Sequence, residues 1–141
     1  MKYSIAIGSD HAGFDVKQKI IQALESGDLQ GFNGGISDMG PDSSDRVDYP
    51  DFAHKVAQAV SEGTCNLGIL ICGSGNGVCI TANKHEGIRA GLAWDTELAS
   101  LAREHNNANI ICLPARFVSE EKAIDIAKGF LESEFEGVRH Q

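Results

Sequence analysis

Ile69-Leu70-Ile71-Cys72-Gly73-Ser74-Gly75-Asn76-Gly77-Val78 joins an unbroken apolar run to a loop in which every second residue is glycine. A short charge-free run rich in Ile and Leu has the composition of a strand buried on both faces, as the strands of parallel sheets are. Gly73, Gly75 and Gly77 let the following loop turn peptide N–H groups toward an anion and let a ligand approach the backbone closely. Alone, this pattern suits a phosphate or nucleotide cradle, or a tight turn with no ligand. Spacing removes three specific versions. A Walker A loop closes on Gly-Lys-Ser/Thr, and the nearest lysine here is Lys84. A dinucleotide fingerprint reads G-x-G-x-x-G after the first strand, whereas this loop reads G-x-G-x-G after a middle one. A cysteine-phosphatase loop needs arginine at the position of Val78.

Outward from this stretch, short apolar runs alternate with helix-period segments, the pattern of βαβ units feeding a parallel sheet. Strands are expected at Tyr3–Ile7, Leu67–Cys72, Ile88–Ala93 and Asn109–Leu113, with a weaker one at Ile36–Met39. Helical faces are formed by Phe14, Ile20, Ile21 and Leu24, by Phe52, Val56, Ala59 and Val60, and by Leu98, Leu101 and Ala102. A longer one comprises Ala123, Ile126, Ala127, Phe130 and Leu131, behind Ser119 as N-cap with Glu120 and Glu121 in its first turn. Gly27 to Pro50 reads as loop around the weak strand. The expected fold is therefore a doubly wound α/β domain with a five-stranded parallel sheet, one domain over residues 1–141, its ligand outside the carboxyl ends of the strands.

Composition narrows the ligand. With 12 Lys and Arg against 20 Asp and Glu, the chain carries a formal charge of -8, which disfavours a nucleic-acid partner and leaves a small, locally caged anion. No charged leader precedes an apolar stretch in residues 1–25, and no apolar run has the length of a membrane span, so no membrane role is expected. Cys65, Cys72, Cys79 and Cys112 form no C-x-x-C pair and lie in or beside apolar runs, which favours a reducing, cytoplasmic setting. Scattered His and Cys disfavour a metal site.

Cys72 stands where the strand meets the glycine loop, among peptide N–H groups that favour a thiolate able to serve as nucleophile or base. Cys65, Cys79 and Cys112 read as structural thiols. Asp10-His11 follows the first strand and faces the crevice, while His54 and His85 read as surface residues. His105, ahead of Asn106, Asn107 and Asn109, fits either a C-terminal helix cap or a proton-transfer group. Arg116 at a strand end and Arg139 in the tail suit a single phosphate.

Gly8-Ser9-Asp10-His11-Ala12-Gly13-Phe14, Asp48-Tyr49-Pro50, Ile71 through Gly77, Ala82-Asn83-Lys84, Gly87-Ile88-Arg89-Ala90, His105-Asn106 and Glu136-Gly137-Val138-Arg139-His140 appear in order along nearly the whole chain. Together they resemble the type B ribose-5-phosphate isomerases, a family that also holds galactose-6-phosphate isomerase subunits and allose-6-phosphate isomerases. The resemblance implies a Rossmann-like sheet, no metal or nucleotide cofactor, and a homodimer or tetramer with active sites shared between subunits. It implies an aldose–ketose isomerisation of the pentose phosphate pathway, ribose 5-phosphate to ribulose 5-phosphate, with a sugar phosphate as small-molecule partner. In it Cys72 matches the base, His105 the ring-opening acid, and Ser74 with the N–H groups of Gly73, Gly75, Asn76 and Gly77 the enediolate cradle. Asp10, His11 and Asn106 match substrate contacts, and Arg116 and Arg139 the phosphate clamp.

The chain departs from the family in two places. A second tail arginine, four residues past Arg139, is absent, and Gly27 to Gly35 is longer and more polar than the usual turn. A six-carbon sugar phosphate as substrate, and a non-catalytic sugar-phosphate sensor, remain the rival expectations.

Overall fold

The structure, a computed structural model, describes residues 4–27 and 35–133. Tyr3 at the head of the first expected strand, most of the Gly27–Gly35 segment, and Arg139 with the rest of its tail motif lie outside those residues. Strands and helices alternate: β1 (Ile5–Ser9), α1 (Phe14–Glu25), β2 (Ile36–Asp38), α2 (Tyr49–Ser61), β3 (Leu67–Cys72), α3 (Asn76–Ala82), β4 (Ala90–Leu92), α4 (Thr96–Asn106), β5 (Ile110–Pro114) and α5 (Glu120–Glu132). All pairings are parallel, in the order β2-β1-β3-β5-β4. This is the expected five-stranded doubly wound α/β sheet.

β1, β3 and β5 are buried along their whole lengths, so their side chains feed cores on both faces. One core packs α1, α4 and α5 against Ile5, Ile7, Ile69, Ile71, Ile111 and Leu113; the other packs α2 and α3 against Ala6, Leu70, Ile110 and Cys112. Period-two alternation explains the division, since neighbouring residues of one strand enter opposite cores. α5 starts as expected, with the Ser119 hydroxyl accepting from Lys122 N–H at 3.0 Å. α4 buries Ala99 and the expected Ala102, with Leu98 half-buried against the same core, and α5 presses close: a Cβ on Gly129 would stand 2.8 Å from Thr96 Cγ2.

Strand limits differ from expectation where pairing decides them. β1 runs on through Gly8 and Ser9 because these pair with Leu70 and Ile71 of β3. β4 is shorter than Ile88–Ala93, since Ile88 N–H turns back to His85 O at 3.2 Å. The Asn83 side chain takes both backbone groups of Ala90, accepting from its N–H at 2.8 Å and donating to its carbonyl at 3.0 Å. The weak strand exists as three residues at the sheet edge.

Lys17 ties that edge down. Its side chain is fully buried, and Nζ donates to Asp38 Oδ1 and Pro41 O, each at 2.7 Å. Asp38 also accepts from Gly40 N–H at 2.9 Å, so one carboxylate serves both the ammonium and the turn after β2. Asp38→Ala strands a buried charge and should cost about 3 kcal/mol of unfolding free energy. Lys17→Met leaves only a partly solvated carboxylate and should cost less; urea denaturation of the two variants checks the order.

Candidate active site

β1 leads leftward to β2 and, after α2, the chain returns to place β3 on the other side of β1. The loops after β1 and β3 therefore part above the sheet, and a crevice opens between their carboxyl ends, where open α/β sheets bind ligands. Asp10 and His11 form one wall, and Cys72 through Gly77 the other.

The first wall rests directly on the second. Asp10 N–H donates to Ile71 O at 3.0 Å, and Asp10 Oδ1 accepts from Gly13 N–H at 2.9 Å, closing a turn at the head of α1. Asp10 is 9% exposed, so this carboxylate is held almost out of water. The adjacent His11 is half-buried, with Nδ1 3.4 Å from Val47 N and 3.3 Å from Val47 O. A bare Nδ1 accepts from the peptide N–H and a protonated one donates to the carbonyl, so Val47 orients the ring in either tautomer and leaves Nε2 available.

Cys72 ends β3 with 4% of its surface exposed, and its sulfur accepts from Gly75 N–H at 3.2 Å. This contact requires the loop to fold back, and Gly75 does so at φ 79°, in the left-handed region that side chains resist. A Cβ there would also collide with Leu92 Cδ1 and stand 3.2 Å from the Leu113 carbonyl carbon. Asn76 N–H donates to Ser74 Oγ at 3.3 Å, which holds that hydroxyl on the loop rim.

Arg116 comes to the same loop from β5. Its N–H donates to Gly73 O at 3.0 Å and Ala115 N–H to Cys72 O at 2.9 Å, strapping the end of β5 to the thiol-bearing turn. The Arg116 side chain lies over Gly73: its Cδ and Nε stand 3.2 Å from where a Cβ would be. Tyr49, first residue of α2, places its ring against Gly77 in the same way, with ring carbons 2.8 Å from the site of a Cβ. Sequence reading gave Tyr49 no role. Its signal was an aromatic closing a Gly-, Asp- and Ser-rich loop just ahead of Pro50.

Asp10, His11, Cys72, Gly73, Ser74, Gly75, Asn76, Gly77 and Arg116 therefore converge. His105 and Asn106 do not join them within one chain. They close α4, which runs back along the sheet and delivers the chain to the start of β5, whereas Cys72 pairs with Pro114 at its end. Four strand steps, roughly 13 Å, separate those levels. A cavity of about 330 Å³ lies at that lower end, lined by Asn106, Arg89, Asn83 and Ala108 among others, away from the thiol. Arg89 Nε donates to Asn106 O at 2.6 Å, and Asn109 bonds Arg89 N–H and Gly87 O, so much of the polar cluster before β5 is bound up in closing the turn.

Gly75→Ala should lower stability by about 2 kcal/mol, from positive φ and the Leu92 collision together. The shift in chemical denaturation midpoint measures it.

The sequence model of the ribose/galactose isomerase family matches residues 5–141. A probable ribose-5-phosphate isomerase B of Mycoplasma pneumoniae is 46% identical over 99% of this chain and 90% of its own length. Ribose-5-phosphate isomerase B of Escherichia coli is 42% identical over 97% and 89%. Among solved structures, the Clostridium thermocellum ribose-5-phosphate isomerase B superposes with TM-score 0.90 at 44% identity, covering 97% of this chain and 89% of that one. The Mycoplasma genitalium enzyme with bound ribulose-5-phosphate gives TM-score 0.89 at 44% identity over 98% and 89%. This chain belongs to the ribose/galactose isomerase family.

Proposed function

We propose that the chain interconverts ribose 5-phosphate and ribulose 5-phosphate in the cytoplasm, with Cys72 as the base that carries the proton. The observation that supports it most is the Gly75 N–H aimed at Cys72 Sγ at 3.2 Å, inside a loop of further amides. The thiolate takes the C2 proton of the open-chain aldose, and the electron pair moves through C1 onto O1, giving a cis-enediolate. Amides of Gly73 to Gly77 and the Ser74 hydroxyl meet the developing oxyanion with donors already in place. A proton then passes from O2 to O1, and the carried proton returns to C1 as O2 becomes the ketone, so no atom is gained or lost. A thiol suits this work because it can both take and return a proton near neutral pH.

Asp10 and His11 hold sugar hydroxyls from the opposite wall, and Arg116 with Arg139 takes the phosphate. His105 opens the furanose and Asn106 contacts the sugar across a subunit boundary, since one chain holds them at the far end of the sheet from its own thiol. A homodimer that brings α4 of one copy to the glycine loop of the other completes two sites. Exposed Ile80, Trp94 and Phe117 supply apolar surface for such pairing.

Cys72→Ala should lower kcat by about a thousandfold with KM little changed. Deuterium uptake at C2 from heavy water should vanish with it, and retention of both in the variant rules Cys72 out as base. Arg116→Ala should chiefly raise KM in steady-state assays on ribose, allose and galactose phosphates with a chelator present, and the ribose ester should turn over fastest. Mixing inactive Cys72→Ala and His105→Ala proteins should restore about a quarter of wild-type turnover through hybrid dimers with one intact site. No restoration after confirmed subunit exchange excludes a shared site.

A further inference from the structure

His54 and His85 are 31 residues apart in the chain, and the fold brings their rings together on the surface. His54 Nδ1 stands 2.8 Å from His85 Nε2, with ring centroids 5.0 Å apart and the planes tilted by 55°. In such a contact one ring donates an N–H and the other accepts it on a bare nitrogen. Neither ring is locked in a core, since His54 is exposed and His85 half-buried.

Both backbones are held firmly. His54 lies within the 13-residue helix α2. His85 N–H donates to Ala82 O at 3.1 Å and His85 O accepts from Ile88 N–H at 3.2 Å, which pins the turn after α3. Beside it the Ser61 hydroxyl, at the end of α2, donates to Glu86 O at 2.8 Å, a second tie between the same two elements. Only side-chain torsions are left to order, so a ligand that takes both nitrogens loses little in fixing them.

The separation of the nitrogens selects that ligand. Two imidazole nitrogens bonded to one ion at about 2.0–2.1 Å stand roughly 2.9 Å apart in adjacent right-angled positions, and roughly 3.3 Å apart in a tetrahedron. The 2.8 Å seen here matches the right-angled case, the geometry that nickel(II) and copper(II) favour and zinc(II) does not. The rings have only to turn so that both lone pairs meet at one point. The donating ring moves its proton to its other nitrogen, so both facing nitrogens ligate and no proton is released. Among the described residues no group of three or more His, Cys, Asp or Glu could hold an ion, so water fills the remaining positions and the site is open and exchangeable. The formal charge of -8 favours a cation at the surface.

We propose that His54 and His85 bind a divalent transition ion of tetragonal preference, nickel(II) or copper(II), which staples α2 to the turn after α3. Scatter along the chain, which disfavours a metal site in the sequence, is undone for this pair by the packing of the two helices. Their heads already meet where Tyr49 lies against Gly77, so the staple fastens them at a second level. Neither histidine belongs to the crevice, and the site is independent of the isomerase reading.

Nickel(II) chloride is titrated calorimetrically into the tag-free full chain in a buffer that does not chelate. One equivalent should bind, and the thermal unfolding midpoint should rise by about 4 °C at roughly ten times the dissociation constant. His54→Gln and His85→Gln should each remove that equivalent and the rise, with unchanged far-UV circular dichroism. In proton NMR at substoichiometric nickel, the ring lines of His54 and His85 should broaden before those of His11 and His105. Zinc(II) should bind severalfold more weakly. No binding leaves the pair a hydrogen bond alone and overturns the site, as does an equivalent that survives both substitutions or broadening that begins at His11 or His105. Binding with no rise in the midpoint overturns the staple, and zinc(II) binding as tightly as nickel(II) overturns the tetragonal assignment.

Discussion

A Cβ on Gly13 would stand 2.8 Å from the carbonyl oxygen of Ile71, and the carboxyl end of the sheet depends on that atom's absence. With the clearance free, Asp10 can bond Ile71 through its own N–H and Gly13 through its carboxylate, and the two walls of the crevice become one rigid turn-on-strand unit. From that unit His11 is aimed by Val47, in the segment that Lys17 and Asp38 fasten from below. Across the crevice the same device recurs. Gly73 admits Arg116, Gly75 admits the left-handed bend beside Leu92, and Gly77 admits Tyr49. Each missing side chain is a place where another group must approach the backbone closely, and such approach is what a cradle of peptide donors needs.

The position of the thiol follows from burial. Six successive buried residues make β3 a central strand, and its last one emerges where the Gly75 N–H turns toward it. A strand that ends deep in the sheet keeps its final side chain almost dry while the next residues reach solvent. Cys72 at 4% exposure near an exposed Ser74 has that arrangement, with its sulfur under a wet rim. In such a setting fixed amide dipoles act more strongly on developing charge than they do in water.

Alternation of strands and helices was legible in the residues because central parallel strands must be apolar throughout and amphipathic helices must show their period. The limits of the edge strands were not. β4 begins where Asn83 captures Ala90, and no local pattern announces a contact made from seven residues away. The glycine loop with Cys72 at its head was legible as one turn, since strand, cysteine and alternating glycines are contiguous. Tyr49 escaped a role because its contact with Gly77 spans 28 residues of chain.

The sequence by itself determined the α/β class, the family and the residues able to do chemistry, because periodicity, glycine spacing and motif order are properties of neighbours along the chain. Only the tertiary structure decided which of those residues meet. It placed β1 beside β3, so Asp10 and His11 face Cys72, and it ran α4 back along the sheet, so His105 and Asn106 end at the opposite edge. It also gathered Cys72, Cys79 and Cys112 into one layer. The physical reason is that strand order and helix direction are set by which apolar faces bury one another across the whole domain, a condition that no single stretch of sequence contains.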